Sequence, residues 1–316
     1  MVKYKSPSNN SKYYYSEKSI KEMLSIWNNI RKDKIITLNK SYHELYYELF
    51  EKMKPFCNKK IWLWCALFDK LINTNTDISS KKKKQYKIII YSINKRDLKP
   101  EKPESWYKNP KEWLSNYDIQ NVMKQYDANK KYNYIFLGVV PIDFATMNVF
   151  GNCIYSDICK INVKDIQNKG IKFLGLITNL DKHDQPGSHW TSTFFVIDPS
   201  LKTYGVYYYD STGRSMPIYL QNFINDVKNQ CEKINPNIPF NIVQNIKQQQ
   251  RKNTECGMFS MIFQIRWINK HIVKKFDTSF EEIIGNPHID DDNMLKLRNT
   301  LFRPNSKIEL KKIKSL

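Results

Sequence analysis

His189, Asp210, a glutamine among positions 248 to 250, and Cys256 lie along this chain in an order that could support nucleophilic chemistry. A free thiol has a pKa near ~8.5 and is mostly protonated at neutral pH, so a nucleophilic cysteine needs an adjacent imidazole or a helix N-terminus to hold it as thiolate. Histidine supplies the base, and a carboxylate on its far nitrogen fixes the tautomer and supports the imidazolium. A glutamine amide beside the Cys256 backbone N–H would stabilise an oxyanion, where one donor is worth roughly 3 kcal/mol of barrier. If these side chains meet in space, they form the active site of a cysteine protease. Each has a plain reading when taken singly: a small buried apolar cysteine, a satisfied strand histidine, an Asp-Ser-Thr-Gly turn. The joint pattern carries the chemistry.

Particular elements must position them. Residues 256–268 form a long apolar run without proline, which predicts a buried helix opening at Cys256. Its free N–H groups and partial positive charge would then face the sulfur. Gly257 has no side chain, which would let a substrate backbone come close. The run after His189 is rich in Thr, Phe, Val and Ile, and the stretch up to Asp210 reads as a second strand. With Asp198-Pro199-Ser200 as the turn between them, an antiparallel hairpin would put His189 and Asp210 at one end. Asp198 offers another carboxylate, but its setting is a stronger turn signal. Residues 240–250 look like a further strand that delivers a glutamine, and alternation puts 248 and 250 on one face.

Taken together, His189-Trp190, the stretch ending in Asp210-Ser211-Thr212-Gly213, and Gln250 followed by Glu255-Cys256-Gly257 resemble the Ulp1/SENP and adenain type of cysteine protease, whose order is His, Asp, Gln, Cys. Upstream, Trp113-Leu114-Ser115-Asn116 is similar to that family's helix entry. The wording around it resembles in particular the polyprotein-processing proteases of large nucleocytoplasmic DNA viruses, the African swine fever virus type. The likeness covers about residues 105 to 275. It implies an α+β fold: a papain-like, Ulp1-like core with a mixed sheet flanked by helices and the nucleophile at the start of a central helix. It also implies Cys256 as nucleophile, His189 as general base and acid, Asp210 as orienter, and Gln250, six positions before the cysteine, as oxyanion donor. Trp113 and Trp190 would form a narrow tunnel over the substrate that admits glycine but not a Cβ, so that cleavage follows a Gly-Gly or similar small pair. The stretch from His189 to Asp210 is longer than is usual in SUMO proteases.

With 316 residues and 41% hydrophobic content, the chain can bury a full core. Its six cysteines, at 57, 65, 153, 159, 231 and 256, follow no zinc or scaffold spacing. We therefore expect no metal, no cofactor, no disulfide and a reducing compartment. The N-terminus lacks the apolar segment of a signal peptide, and no run approaches the ~20 apolar residues that span a bilayer. A soluble protein of the host cytoplasm and virion is expected, without a membrane partner.

The formal net charge of +20 is uneven: residues 1–100 carry 22 Lys and Arg against 9 Asp and Glu, residues 101–300 carry 24 against 21, and residues 301–316 carry 5 against 1. The catalytic stretch is nearly neutral, while the basic excess could meet nucleic acid through phosphate contacts. Lys81 to Lys84 with Lys87 is its densest point, with a solvated loop as the plainer reading. Apolar spacing predicts helices near 19–31, 42–53, 61–71, 116–126 and 219–233, and strands at 134–140, 161–164 and 171–178. A lysine-rich helix or strand runs to about residue 93. Prolines at 100, 103 and 110 mark a boundary. We divide the chain into a basic, mainly helical N-terminal arm (1–104), a protease core (105–284) and a basic C-terminal tail (285–316).

Three functions compete. The first is an endopeptidase acting on a precursor polyprotein with Gly-Gly-X sites, processing viral structural proteins. The second is an isopeptidase that removes SUMO or a related modifier. The third is a non-enzymatic basic virion protein that binds nucleic acid, with Cys256 only structural.

Overall fold

A computed structural model describes residues 3–35, 37–147, 149–272, 279–285 and 288–313, and it divides into two units, Met1–Pro110 with Asn299–Leu316, and Lys111–Arg298. In the first, apolar periodicity becomes helix. α1 (Glu17–Ile30) starts at Ser16, whose hydroxyl accepts from the Ser19 N–H, and α2 (Tyr42–Cys57) starts at a capping box between Ser41 and Glu44. Both caps satisfy donors that a first helical turn leaves open. α3 (Trp64–Thr74) follows a turn of 3-10 helix, and the lysine-rich stretch resolves as helix α4 (Ser80–Asp97). Tyr86, Ile90 and Ile93 of α4 point inward at helical spacing, leaving Lys81, Lys82, Lys84 and Lys87 exposed. Trp27, Trp64, Phe68 and Leu49 centre the core of this unit. In the stretch 285–316, expected as a tail, the described residues include helices at Asp291–Leu301 and Ser306–Lys311, and residues 299–316 belong to this first unit.

The second unit holds the site. Ser115 forms a capping box with Asp118 and opens α5 (Asn116–Asp127). A five-stranded mixed sheet follows the order β1 (Tyr134–Pro141), β2 (Phe173–Asn179), β3 (Trp190–Val196), β4 (Gly205–Tyr209) and β5 (Asn241–Gln244). The outer pairs β1–β2 and β4–β5 are parallel, while β2–β3 and β3–β4 are antiparallel. Strands β2 to β4 are buried almost throughout, because both faces of the sheet are covered and alternate residues serve opposite cores. Phe195 joins Leu220, Phe223 and Val227 of α8 (Ile218–Ile234) on one face. Its neighbour Phe194 stacks on Trp267 of α9 (Cys256–Ile272) on the other, with ring centroids 5.5 Å apart. Gly175 of β2 leaves space for Gln264 of α9, whose amide donates to the Leu176 carbonyl and the Ser192 hydroxyl at 3.0 and 2.9 Å.

Several expectations change. Residues 161–164 are not a strand: Asn162 accepts from the Asp165 N–H and starts the short helix α7 (Val163–Asn168), which follows α6 (Ser156–Cys159). The glutamine strand ends at Gln244, so positions 248–250 lie beyond β5. Cys153 and Cys159 are joined as a disulfide, against the expectation of none, while Cys57, Cys65, Cys231 and Cys256 are free. Two further helices complete the described chain of this region, α10 (Phe280–Ile284) and α11 (Asp291–Leu301). Among the described residues no helix is long and apolar enough to cross a membrane, and no group of three His, Cys, Asp or Glu could hold a metal.

Candidate active site

The β3–β4 hairpin sets the first pair. Its register places Ser192 opposite Tyr209, so the residues entering β3 and leaving β4 emerge at the same end of these two strands. There His189 Nε2 meets Asp210 Oδ1 at 2.7 Å. The same carboxylate oxygen accepts from the Thr212 N–H and hydroxyl, both at 2.8 Å. Asn245 brackets the backbone of Asp210, accepting from its N–H at 2.8 Å and donating to its carbonyl at 2.7 Å. Gly213 closes the turn at φ +74, with the backbone of Ile246 and Lys247 where a Cβ would sit.

Burial pushes the Asp210 pKa up, but the hydrogen bond and charge of His189 and the Thr212 donors outweigh it and hold it below the usual carboxylate value. For His189, burial pulls down, while hydrogen bonds to Asp210 and Cys256 and their charges raise its pKa to about 9. With Nε2 committed to Asp210, Nδ1 is the nitrogen left for the thiol. The folded pKa lies above the unfolded 6.5, so the imidazolium contributes stability that is complete below pH 6.5 and lost as pH rises through about 9. Asp210 behaves in the opposite sense: its contribution is present above 3.8 and lost as pH falls through the lowered folded value. The thermal-stability advantage of the native chain over a His189→Gln variant should therefore shrink between pH 6.5 and about 9. A gap constant across that window would contradict this charge state.

Cys256 is 3% exposed and is the first residue of α9. Helix N–H groups without intrahelical partners lie at this end and carry the partial positive charge of the helix. Ser260, one turn on, donates to the Trp190 carbonyl at 3.1 Å, which ties the helix to the start of β3 beside His189. Gly257 also serves protein packing. A Cβ there would meet Leu114, Ile119 and Trp190 at 3.2 to 3.3 Å, so its absence lets α9 close against α5 and β3.

The three glutamines separate by their partners. Gln249 accepts from the Tyr209 hydroxyl at 2.6 Å and donates to the Ile284 carbonyl. Gln248 donates to the Gln250 carbonyl at 2.9 Å. Gln250 is buried, its backbone N–H donates to the Ser211 carbonyl at 2.9 Å, and its Oε1 accepts from the Ser211 hydroxyl at 2.6 Å. The Ser211 hydroxyl, on the residue that follows Asp210 directly, could serve either end of the amide, and it is the Lys252 carbonyl, which only accepts, that identifies the nitrogen. One hydrogen of Nε2 goes to the Lys252 carbonyl, leaving the amide a second donor.

Trp190 donates from Nε1 to the Leu114 carbonyl at 3.1 Å, while Trp113 is 46% exposed. Both line a groove of about 420 Å³ that also takes in Asn116, Asn179 and His183. His183 belongs to a second histidine and carboxylate pair: its Nδ1 and backbone N–H meet Asp143 at 2.7 and 3.0 Å, and the Asp143 hydrogen bond leads the influences that raise its pKa. Sequence reasoning overlooked Ser211 and Asn245. Only Ser211 carried a local signal, its adjacency to the candidate carboxylate.

No family model matches the chain. In sequence it is similar to a protein of Acanthamoeba polyphaga mimivirus described as a candidate thiol protease, at 30% identity over 192 residues, which cover 61% of this chain and 57% of that protein. It is also similar to the cysteine protease of African swine fever virus, at 28% identity over 198 residues, 60% of this chain and 67% of the relative. The match therefore spans under two thirds of the first relative's length. In other isolates of that virus the corresponding protein is named a SUMO-1 cysteine protease. A crystal structure of the African swine fever virus protease matches over 96% of both chains with a TM-score of 0.60 at 18% identity. Its selenomethionine form matches with a TM-score of 0.53 at 20% identity, over 82% of this chain and 90% of that one. The chain has the fold of that protease, and its sequence relatives are viral thiol and cysteine proteases.

Proposed function

We propose that the chain is a cysteine endopeptidase that cleaves after a pair of small residues such as Gly-Gly and processes viral structural polyproteins in the host cytoplasm and virion. The observation that carries this reading is His189 hydrogen-bonded to buried Asp210, with Cys256, at the mouth of α9, among the groups that raise its pKa. In the reaction the thiolate attacks the scissile carbonyl, and its negative charge passes to the carbonyl oxygen. The Cys256 N–H and the second Nε2 hydrogen of Gln250 receive that oxyanion. The imidazolium of His189 then protonates the leaving amine, and water, deprotonated by the neutral ring, hydrolyses the thioester and restores the thiol. Trp113 and Trp190 flanking the groove support a preference for residues without a Cβ.

The names of several relatives favour one other substrate, a SUMO-like modifier joined through an isopeptide bond. Incubating the purified chain with a Gly-Gly-X peptide and, separately, a SUMO conjugate separates the two. Peptide cleavage is expected, and cleavage of the conjugate alone would overturn the endopeptidase reading. Labelling with a thiol-reactive Gly-Gly electrophile, followed by peptide mapping, is expected to modify Cys256. The exposed lysines of α4 support nucleic acid as an additional partner of the N-terminal unit, read as binding that falls steeply with salt.

A further inference from the structure

We infer that helix α11, from the stretch expected to be a tail, is a clamp whose Asp291 and Arg298 set the spacing between the oxyanion glutamine, the nucleophile and Trp113. The inference rests on the protease reading above. Residues 251–255 connect Gln250 to Cys256 and contain no helix or strand of their own. The distance between the amide donor and the sulfur therefore depends on what holds this connector.

α11 holds it at both ends. Asp291 accepts from the Arg251 and Lys252 N–H groups at 2.8 and 3.2 Å, and Lys252 supplies the carbonyl that takes one hydrogen of Gln250. Seven residues on, Arg298 is 2% exposed and forms a bidentate pair with Glu255, the residue before the nucleophile, with both contacts at 2.9 Å. Seven helical residues bring the two side chains to one face and rise about 10 Å, roughly the reach of three to four extended residues. The helix thus acts as a ruler along the connector. A third contact extends the device: Arg298 Nη1 donates to the Glu112 carbonyl at 2.8 Å, immediately before Trp113. A planar guanidinium can serve a carboxylate and a carbonyl at fixed angles at once, which a lysine ammonium cannot.

Asp291 and Arg298 are positioning residues, and the test must distinguish positioning from plain stability. On the full chain, kcat and KM for a fluorogenic Gly-Gly peptide are measured per active site titrated with the Gly-Gly electrophile, alongside thermal unfolding. For Arg298→Lys a loss in kcat on the order of 100-fold is expected, the scale of a misplacement of about 1 Å, with KM changed far less. For Asp291→Asn, where an amide NH2 replaces an acceptor, a loss of about tenfold is expected, and it should largely disappear in a Gln250→Ala background because both changes act through one donor. Native kcat per titrated site in Arg298→Lys would overturn the inference. So would an Asp291→Asn loss equal in the presence and absence of Gln250, and this cycle decides the matter if Arg298→Lys does not fold. If instead the native chain is not labelled at Cys256, the protease reading itself fails, which is a separate result.

Discussion

Replacing Cys256 with alanine is expected to abolish peptide hydrolysis while leaving the thermal transition nearly unchanged. Cys256 sits at the end of α9 with its side chain at the site rather than in the middle of a core, so the fold loses one small buried group. Catalysis loses its nucleophile. In triads that act as a unit, removal of the nucleophile or its base costs about a millionfold in kcat. His189→Ala should fall almost as far, because without its ring no base takes the thiol proton and no acid protonates the leaving amine. The double variant should be no slower than either single one, since each already disables the same step. Progress curves for the three variants at fixed enzyme concentration check this. Rates that multiply in the double variant, or a Cys256→Ala enzyme that still cleaves, would remove Cys256 from the chemistry.

The second large effect is expected at Gln250. Its Nε2 donates to the Lys252 carbonyl and its Oε1 accepts from the Ser211 hydroxyl, so the amide cannot turn over without setting oxygen against oxygen at Lys252, and its nitrogen is presented in a fixed orientation. Donors fixed in advance stabilise developing charge without reorganising, and loss of one costs about 100- to 1000-fold in kcat. Gln250→Ala should show a loss of that size with KM almost unaltered, because the oxyanion exists only in the transition state. Thiolate reactivity towards a small alkylating agent should stay near native, since that displacement develops no oxyanion. A parallel loss of alkylation rate would mean that Gln250 supports the thiolate rather than the oxyanion. Gln249→Ala, whose amide is occupied by Tyr209 and Ile284, offers a matched comparison in which the catalytic effect is far smaller.

Much of this architecture is written locally. The helices α1, α2, α5 and α8 follow from apolar residues at helical spacing behind Ser or Pro at the N-cap, and the β3–β4 hairpin from branched and aromatic runs around a turn. These signals act over a few residues, which is the range a linear reading resolves. By itself the sequence also determined that a cysteine would open an apolar helix and that a histidine and an aspartate would share one end of a hairpin. Tertiary structure decided the rest. Three consecutive glutamines each take different partners: Gln248 the Gln250 carbonyl, Gln249 Tyr209 and Ile284, and Gln250 the Ser211 hydroxyl, 39 residues away. The Asn162 cap turns a strand-like run into α7. The room at Gly257 is bounded by Leu114, Ile119 and Trp190, at 3.2 to 3.3 Å from where a Cβ would sit. Arg298 reaches Glu255 across 43 residues and Glu112 across 186. Such contacts leave no local pattern, because a buried arginine and an exposed one are spelled alike until packing removes water and fixes the partner.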